Sequence, residues 1–220
     1  MEIKHDGARQ EKLRNVLLLL VRLGLWGDRE EHNTRLNLTE EDWNEVFRLA
    51  MQHTVTGLAF QGVSHLPDSQ IPPQSLLVRW MAETDAVERR NKKMNGVLGQ
   101  LYNIFHEKGL NPILQKGQGV ANYYESPLLR VCGDIDLYFN NKKAWDDALD
   151  FLRKNNITFT KQADEGISYR WQGVDIEHHS RLFDLYNPFL QGFVGKLEGQ
   201  KGYRHTALST YPSVIVTTPS

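Results

Sequence analysis

Two aspartates with the chemistry of a metal site follow a glycine near the middle of the chain, in Gly133-Asp134-Ile135-Asp136-Leu137. Successive side chains on a β-strand point to opposite faces, so Asp134 and Asp136 are predicted to share one face. The apolar residues that alternate with them would enter the core. Like charges about 4 Å apart near a surface repel by about 4 kcal/mol. A divalent cation removes this repulsion, and Mg²⁺ prefers carboxylate and phosphate oxygens, so the pattern predicts a metal held against phosphate.

A second acidic strand is predicted over residues 173–179, where polar and apolar side chains alternate. Asp175 and Glu177 project from one face of this strand, and either could supply a third metal ligand or a general base. His178 and His179 are adjacent and would therefore face opposite sides. His179 shares the face of Glu177, where it could orient that carboxylate, contact phosphate or act as a hydrogen-bonded structural histidine.

Candidate phosphate contacts lie mostly upstream of the aspartates. A short apolar strand is predicted to end in Lys116-Gly117, and a helix to begin directly afterwards. Gly117 and Gly119 would let backbone amides approach phosphate at the start of that helix. Gly133 would allow a similar close approach beside the aspartates. Lys116 and Arg130 are candidate phosphate contacts, although each could equally be a solvated charge or an ion-pair partner.

These motifs occur in an order that resembles the uncharacterised nucleotidyltransferase family of the DNA polymerase β-like superfamily. The resemblance covers residues 110–182 and rests on Lys116-Gly117, Tyr123-Tyr124-Glu125-Ser126-Pro127, Arg130, the Gly-Asp-Ile-Asp-Leu segment and Ile176-Glu177-His178-His179. It implies that Asp134 and Asp136 bind catalytic Mg²⁺ or Mn²⁺. It also implies that Glu177 is the third carboxylate, with Asp175 as the fallback.

The activity that the resemblance implies is transfer of a nucleoside monophosphate from an NTP to an acceptor hydroxyl, with release of pyrophosphate. Two metals about 3.5–4 Å apart would lie between the aspartates and the phosphates, and Glu177 would help to deprotonate the acceptor. The acceptor could be a small molecule, a protein or RNA.

The chain departs from the superfamily pattern at the end of the first strand, where superfamily members usually carry Gly-Ser or Gly-Gly. This chain has Gly117-Gln118-Gly119 and lacks a serine hydroxyl.

Two alternatives remain open at the level of sequence. The first is a non-catalytic module that binds a nucleotide or a partner, which the missing serine and the short segment after residue 216 favour. Family members generally continue into a further helical region, which this chain would lack. The second is a nucleotide-sugar glycosyltransferase, since such enzymes also use Asp-x-Asp to hold a metal. Those enzymes need a nucleotide-binding α/β unit before the motif, whereas mostly helix is predicted here.

Composition restricts the partners. The chain has 220 residues, of which 40% are hydrophobic and 24% charged, as in ordinary soluble proteins. A net charge of −1 gives no general attraction to nucleic acid. The lone Cys132 excludes an intramolecular disulfide and a cysteine-based zinc cluster. The apolar run at residues 16–21 is too short to span a bilayer, so we expect a cytoplasmic protein with no membrane partner.

Hydrophobic periodicity predicts an α+β fold, with a helical N-terminal region over residues 1–108 and a small mixed-sheet nucleotidyltransferase core over residues 109–220. In the first region, one helix is centred on residues 13–20 and Thr39 caps a second, with Asp42 as its third residue. A long helical pattern follows Pro72-Pro73. The core is predicted to contain strands 112–115, 133–137, 157–161, 167–172 and 174–179, a helix at 145–154, and a last strand or helix around 214–216.

Overall fold

A computed structural model describes residues 2–27, 35–162, 165–181, 202–208 and 211–219, with residues 2–6 and 211–213 described by their backbone only. The α-helices within these ranges are α1 (Glu2–Trp26), α2 (Glu40–Gln52), α3 (Thr56–Val63), α4 (Gln74–Glu107), α5 (Gln118–Ala121) and α6 (Lys142–Lys154). The strands are β1 (Ile113–Leu114), β2 (Ile135–Tyr138), β3 (Phe159–Lys161), β4 (Ile167–Trp171), β5 (Val174–His179), β6 (Tyr203–Leu208) and β7 (Tyr211–Pro219). The protein is therefore a mixed helix-and-sheet structure, consistent with the predicted α+β class.

The first of two compact units comprises Met1–Asn91 and Tyr124–Val131. Its core is formed by apolar faces of α1, α2, α3 and the first part of α4. Trp80 of α4 is fully buried there, and its indole Nε1 donates a hydrogen bond of 2.9 Å to the carbonyl of Thr56. A buried indole needs such a partner, because an unpaired polar group inside a core is unfavourable.

Two glycines set the contact between α1 and α3. A Cβ atom added at Gly24 would collide with the carbonyl oxygen of Leu58, and one added at Gly62 would collide with that of Leu20. The two helix backbones therefore approach more closely than any larger side chain allows. Helix α3 has no predicted counterpart, because two glycines in eight residues give it a weak helical signal.

The start of α2 confirms the prediction from its sequence. The hydroxyl of Thr39 accepts a hydrogen bond from the amide of Asp42, and the carboxylate of Asp42 accepts one from the amide of Thr39. This reciprocal arrangement is a capping box, which satisfies two amides that the helix itself leaves without partners.

The second compact unit comprises Lys92–Tyr123 and Cys132–Ser220. Within its described residues, seven strands form one sheet in the order β3-β4-β5-β2-β1-β7-β6. The central pair β2–β5 is parallel, and β1 pairs with β2 in the antiparallel direction. The pairs β3–β4, β4–β5 and β6–β7 are antiparallel, and β1–β7 is parallel. The sheet is therefore mixed, as predicted.

One face of the central strands forms the core of this unit. Ile135, Leu137 and Ile176 are fully buried, and they belong to a core that includes Phe105 of α4 and Leu152 of α6. The predicted burial of the apolar residues on one face of β2 and β5 is thus confirmed, and the other two residues of β2 are buried as well. The second half of α4 belongs to this unit, and α4 continues without a break across the glycines in its sequence.

Several element boundaries differ from the sequence prediction. Strand β1 has two residues rather than four, and α6 begins three residues earlier because Asn141 caps it. Residues 214–216 lie inside β7, which pairs with β6, a strand for which no pattern was visible. Residues 183–201, which have no predicted element, lie outside the described ranges. In the part of the chain that is described, no helix has the length and apolar character needed to cross a bilayer.

Candidate functional site

The acidic residues of two neighbouring strands meet at the centre of the sheet. The parallel pairing of β2 with β5 places Asp136 opposite Glu177 and Tyr138 opposite His179. Side chains at paired positions of neighbouring strands point to the same face and lie close together. The prediction that the second acidic strand lies beside the first is therefore confirmed, and Glu177 is the carboxylate placed next to Asp136.

Asp136 is the most enclosed member of this group, with a side chain that is 0% exposed. Its Oδ1 accepts hydrogen bonds from Lys116 Nζ and His179 Nε2, each at 3.0 Å. Its Oδ2 is also buried and has no hydrogen-bond partner among the described residues. Burial works against ionisation of Asp136, but the bonds from His179 and Lys116 outweigh it and hold the pKa of that carboxyl below its ordinary value.

Lys116 reaches Asp136 from the strand on the other side. The amide of Gln115 donates to the carbonyl of Asp136 at 3.1 Å, which continues the β1–β2 pairing by one residue and brings Lys116 beside the carboxylate. The Lys116 side chain is 56% exposed. Burial alone would lower the pKa of Lys116. The bond to Asp136 and the neighbouring negative charges raise this pKa by a larger amount, so it lies above its ordinary value. Lys116 is therefore a cation that faces solvent at one side and a buried carboxylate at the other.

Asp134 lies just before β2 rather than within it. It is half-buried, and burial together with the charge of Asp136 raises the pKa of its carboxyl. The charge of Glu177 acts in the same direction, whereas Lys116 opposes it. Gly117 lies beside this residue, because a Cβ at Gly117 would be 3.4 Å from the carbonyl oxygen of Asp134. The structure thus brings both aspartates and the Lys-Gly pair into one region.

Glu177 is held by a neighbour that sequence reasoning did not identify. Gln162 Nε2 donates a 2.7 Å hydrogen bond to Glu177 Oε1, while Glu177 Oε2 lies 3.5 Å from His179 Nε2. Asp136, Glu177 and His179 each offer a ligand atom, and these three atoms lie within 4.8 Å of one another. Nothing in the sequence marks Gln162, because its position depends on the pairing of β3 with β4.

Asp175, the fallback for the third carboxylate, lies in different surroundings from Glu177. It is exposed and lies 3.6 Å from Arg170 of β4 across the strand pair. It is not part of the three-residue group around Asp136. Of the two candidates on β5, the structure therefore places Glu177, and not Asp175, beside the aspartate.

The two adjacent histidines face opposite sides of β5, as predicted. His178 is 0% exposed, lies 2.9 Å from the hydroxyl of Tyr169 and packs against Phe105 and Phe139. Burial lowers its pKa to about 3, so it stays neutral inside the core. His179 instead points towards the carboxylates, with a side chain that is 13% exposed.

The other residues predicted to contact phosphate differ in backbone conformation, in burial and in the compact unit to which they belong. Gly117 has φ +62° and precedes the short helix α5, as expected for a glycine at a sharp turn. Gly119 is buried, and a Cβ there would be 3.0 Å from Thr218, so packing alone explains this glycine. Gly133 is exposed, with nothing near its missing Cβ. Arg130 belongs to the helical unit, where its carbonyl accepts a hydrogen bond from an asparagine of α4. The roles of these residues stay predictions.

Comparison with known protein families shows the family to which the chain belongs. A family model described as uncharacterised nucleotidyltransferase matches residues 39–206, which include the Asp-Ile-Asp segment, β5 and most of the helical unit. No curated protein and no solved structure matches the chain. Because the match spans well over half of the sequence, the chain belongs to the uncharacterised nucleotidyltransferase family.

Proposed function

We propose that the protein is a metal-dependent nucleotidyltransferase that moves a nucleoside monophosphate from an NTP to an acceptor hydroxyl and releases pyrophosphate. The observation that carries the proposal is the pairing of Asp136 with Glu177 on neighbouring parallel strands, beside Asp134 and Lys116. Family membership supports nucleotidyl transfer and argues against the nucleotide-sugar glycosyltransferase alternative. The metal dependence, the site residues and the NTP substrate rest on the geometry and the resemblance.

The carboxylates present fit a divalent cation. Asp136 Oδ2 is buried without a partner among the described residues, although a buried carboxylate oxygen normally has one. The raised pKa of Asp134, caused by burial and by the charge of Asp136, indicates negative charge that the protein only partly neutralises. Asp134, Asp136 and Glu177 would hold Mg²⁺ or Mn²⁺, which would neutralise the phosphate charge and polarise the reacting phosphoryl group.

The chemical step requires little covalent work from the protein. The acceptor oxygen forms a bond to the α-phosphorus, the bond from that phosphorus to the bridging oxygen breaks, and pyrophosphate leaves with the electron pair. Glu177 would accept the proton of the acceptor hydroxyl. Its Oε1 accepts a hydrogen bond from Gln162, which fixes the orientation of this carboxylate. Positioning and charge neutralisation would supply most of the rate enhancement.

Lys116 and Gly117 would bind the triphosphate. The half-exposed ammonium of Lys116 is bonded to Asp136, and its flexible stem would let it turn from that carboxylate to a phosphate oxygen. Gly117 places its backbone near Asp134 in a conformation with positive φ, where a side chain would be strained. Arg130, Gly119 and Gly133 are further candidates from the sequence alone.

The ion pair between Lys116 and Asp136 also favours a second candidate, a non-catalytic module on the same fold. A lysine ammonium can neutralise a buried carboxylate permanently, in place of a metal. In that case the protein would bind a nucleotide or a partner without turnover. The two candidates differ in what happens to the ion pair when Mg²⁺ or Mn²⁺ and NTP are added.

The test is an incubation of the full chain with α-labelled NTPs, Mg²⁺ or Mn²⁺, and a cell extract as the source of acceptors. We expect a labelled acceptor and stoichiometric pyrophosphate. Asp136→Asn and Glu177→Gln should each reduce the rate at least about 100-fold, or about 2.7 kcal/mol in the barrier. Asp146→Asn, at an exposed position of α6, is the matched control and should retain activity.

One further result decides between the two candidate carboxylates, and another decides between the two candidate functions. Asp175→Asn tests the fallback carboxylate, and a loss of activity comparable to that of Glu177→Gln would transfer the third-ligand role to Asp175. No pyrophosphate with any NTP, metal and extract, together with metal-independent nucleotide or partner binding, would establish the non-catalytic module instead.

A further inference from the structure

His179 is one of three residues, with Asp136 and Glu177, whose ligand atoms lie close enough together to hold a single metal ion. Its Nε2 lies 3.0 Å from Asp136 Oδ1 and 3.5 Å from Glu177 Oε2. Two ligands at right angles on a metal, with bonds of about 2.1 Å, are themselves about 3 Å apart. One nitrogen and two carboxylates are therefore spaced as neighbouring ligands of a single ion.

A second observation points to a cation at this place. Asp136 is 0% exposed, and its Oδ2 has no hydrogen-bond partner among the described residues although Oδ1 accepts two. An ion bound by Glu177 and His179 at this carboxylate would give that oxygen the partner it lacks. The three residues already offer ligand atoms within 4.8 Å of one another.

The neighbouring histidine shows what a purely structural role looks like in this strand. His178 is enclosed by aromatic rings and bonded to the Tyr169 hydroxyl, and burial keeps it neutral. The Nε2 atom of His179 instead lies within 3.5 Å of oxygens from two carboxylates, those of Asp136 and Glu177. An imidazole that faces two carboxylates is a combination that binds divalent transition metals.

We propose that His179 Nε2 is a direct ligand of the catalytic cation, and that the site therefore selects Mn²⁺ over Mg²⁺. The inference rests on the proposed function and specifies the metal that it uses. Mg²⁺ is a hard ion that prefers oxygen ligands, whereas an imidazole nitrogen binds more strongly to the first-row transition metals. The proton that Nε2 shares with Asp136 has to leave this nitrogen on binding, so metal uptake releases a proton or shifts it to Nδ1.

The experiment uses the full chain and the metals alone as probes. Calorimetric titrations with Mn²⁺ and with Mg²⁺ are compared for the wild type, His179→Gln and His205→Gln. The glutamine can still donate a hydrogen bond to Asp136 but offers oxygen as a ligand. We expect His179→Gln to weaken Mn²⁺ at least about tenfold and Mg²⁺ much less, so that the preference for Mn²⁺ disappears. His205 lies exposed on the edge strand β6, and its substitution should change neither affinity.

Pulsed electron paramagnetic resonance of the Mn²⁺-loaded protein provides the direct readout. Coupling of the electron spin to a ¹⁴N nucleus is expected for the wild type and for His205→Gln, and should vanish in His179→Gln. His179→Asn repeats the comparison if the glutamine variant fails to fold. Bound Mn²⁺ without ¹⁴N coupling, with binding abolished by Asp136→Asn, would overturn the role of His179 and leave the proposed function intact. No binding of either metal, with or without NTP, would overturn both.

Discussion

Asp134 and Asp136 have opposite electrostatic surroundings although only one residue separates them. Burial and the charge of Asp136 raise the pKa of Asp134, so its ionised form destabilises the folded state. Asp136 has two hydrogen-bonded cationic or polar partners that hold its pKa below the ordinary value despite burial. Two carboxylates whose pKa values are driven apart in this way are typical of a functional site.

We therefore expect substitution of the two aspartates to shift stability in opposite directions. In metal-free buffer near neutral pH, Asp134→Asn should raise the melting temperature by about 1–3 °C because it removes an unfavourable charge. Asp136→Asn should lower the free energy of unfolding by about 1–3 kcal/mol because Lys116 and His179 lose their acceptor. Thermal melts with a chelator measure both, with Asp146→Asn as the exposed control. Shifts of the same sign for both variants would contradict the assigned surroundings.

The stabilising contribution of Asp136 should depend on pH. Its folded-state pKa is depressed, so the contribution is present above the ordinary pKa of 3.8 and is lost as the pH falls through the folded value. Urea unfolding of the wild type and Asp136→Asn from a pH of about 7 to about 3 measures the difference. We expect the difference to stay constant down to about pH 4 and then to shrink. A difference that grows on acidification would show that the pKa of Asp136 is raised instead.

Residue types and spacing predicted which side chains share a face at the candidate site, but not the hydrogen bonds and ion pairs between them. Period-two alternation identified Asp136, Glu177 and the face of His179, since a strand fixes which side chains share a face. The bond between Lys116 and Asp136 depends on the register of β1 against β2, which the local pattern does not contain. The contact of Gln162 with Glu177 depends on the register of β3 against β4 and was equally absent from the local pattern.

At the scale of elements, the contact between α1 and α3 provides a test of the helical unit. Gly24→Ala would place a Cβ against the backbone carbonyl of Leu58, which cannot move away as a flexible side chain could. We expect a loss of at least about 1–3 kcal/mol in the free energy of unfolding. Gly7→Ala, in the same helix with nothing within 4 Å of the added Cβ, is the control and should stabilise by up to about 1 kcal/mol. Equal effects of the two alanines in urea unfolding would show that the close approach is absent.

Elements with strong local signals were predictable, and elements that exist only through packing were not. The capping box at Thr39 and the apolar stripe of α4 identified their helices directly. Helix α3 carries two glycines that its packing requires and that weaken its intrinsic signal. Strand β6 is mostly exposed and is defined by its pairing with β7, so no buried face marks it in the sequence.

At the scale of the whole molecule, the charge balance limits the acceptor. A net charge of −1 supplies no counterion-release term that would hold nucleic acid without sequence preference. We expect random single-stranded RNA to bind with a Kd weaker than about 10 µM at about 150 mM salt, measured by fluorescence anisotropy. Tight binding that weakens steeply with added salt would instead reveal a local basic groove and make RNA the leading acceptor.

Anomalous X-ray diffraction can show whether carboxylates from β2 and β5 bind a divalent cation beneath a triphosphate. Crystals with Mn²⁺ and a non-hydrolysable NTP analogue should show a manganese peak within about 2.0–2.6 Å of oxygens of Asp136 and Glu177. Lys116 should then have turned from Asp136 to a phosphate oxygen. A map with no peak at these carboxylates, and with the ammonium of Lys116 still bonded to Asp136, would mean that the site does not bind a catalytic metal.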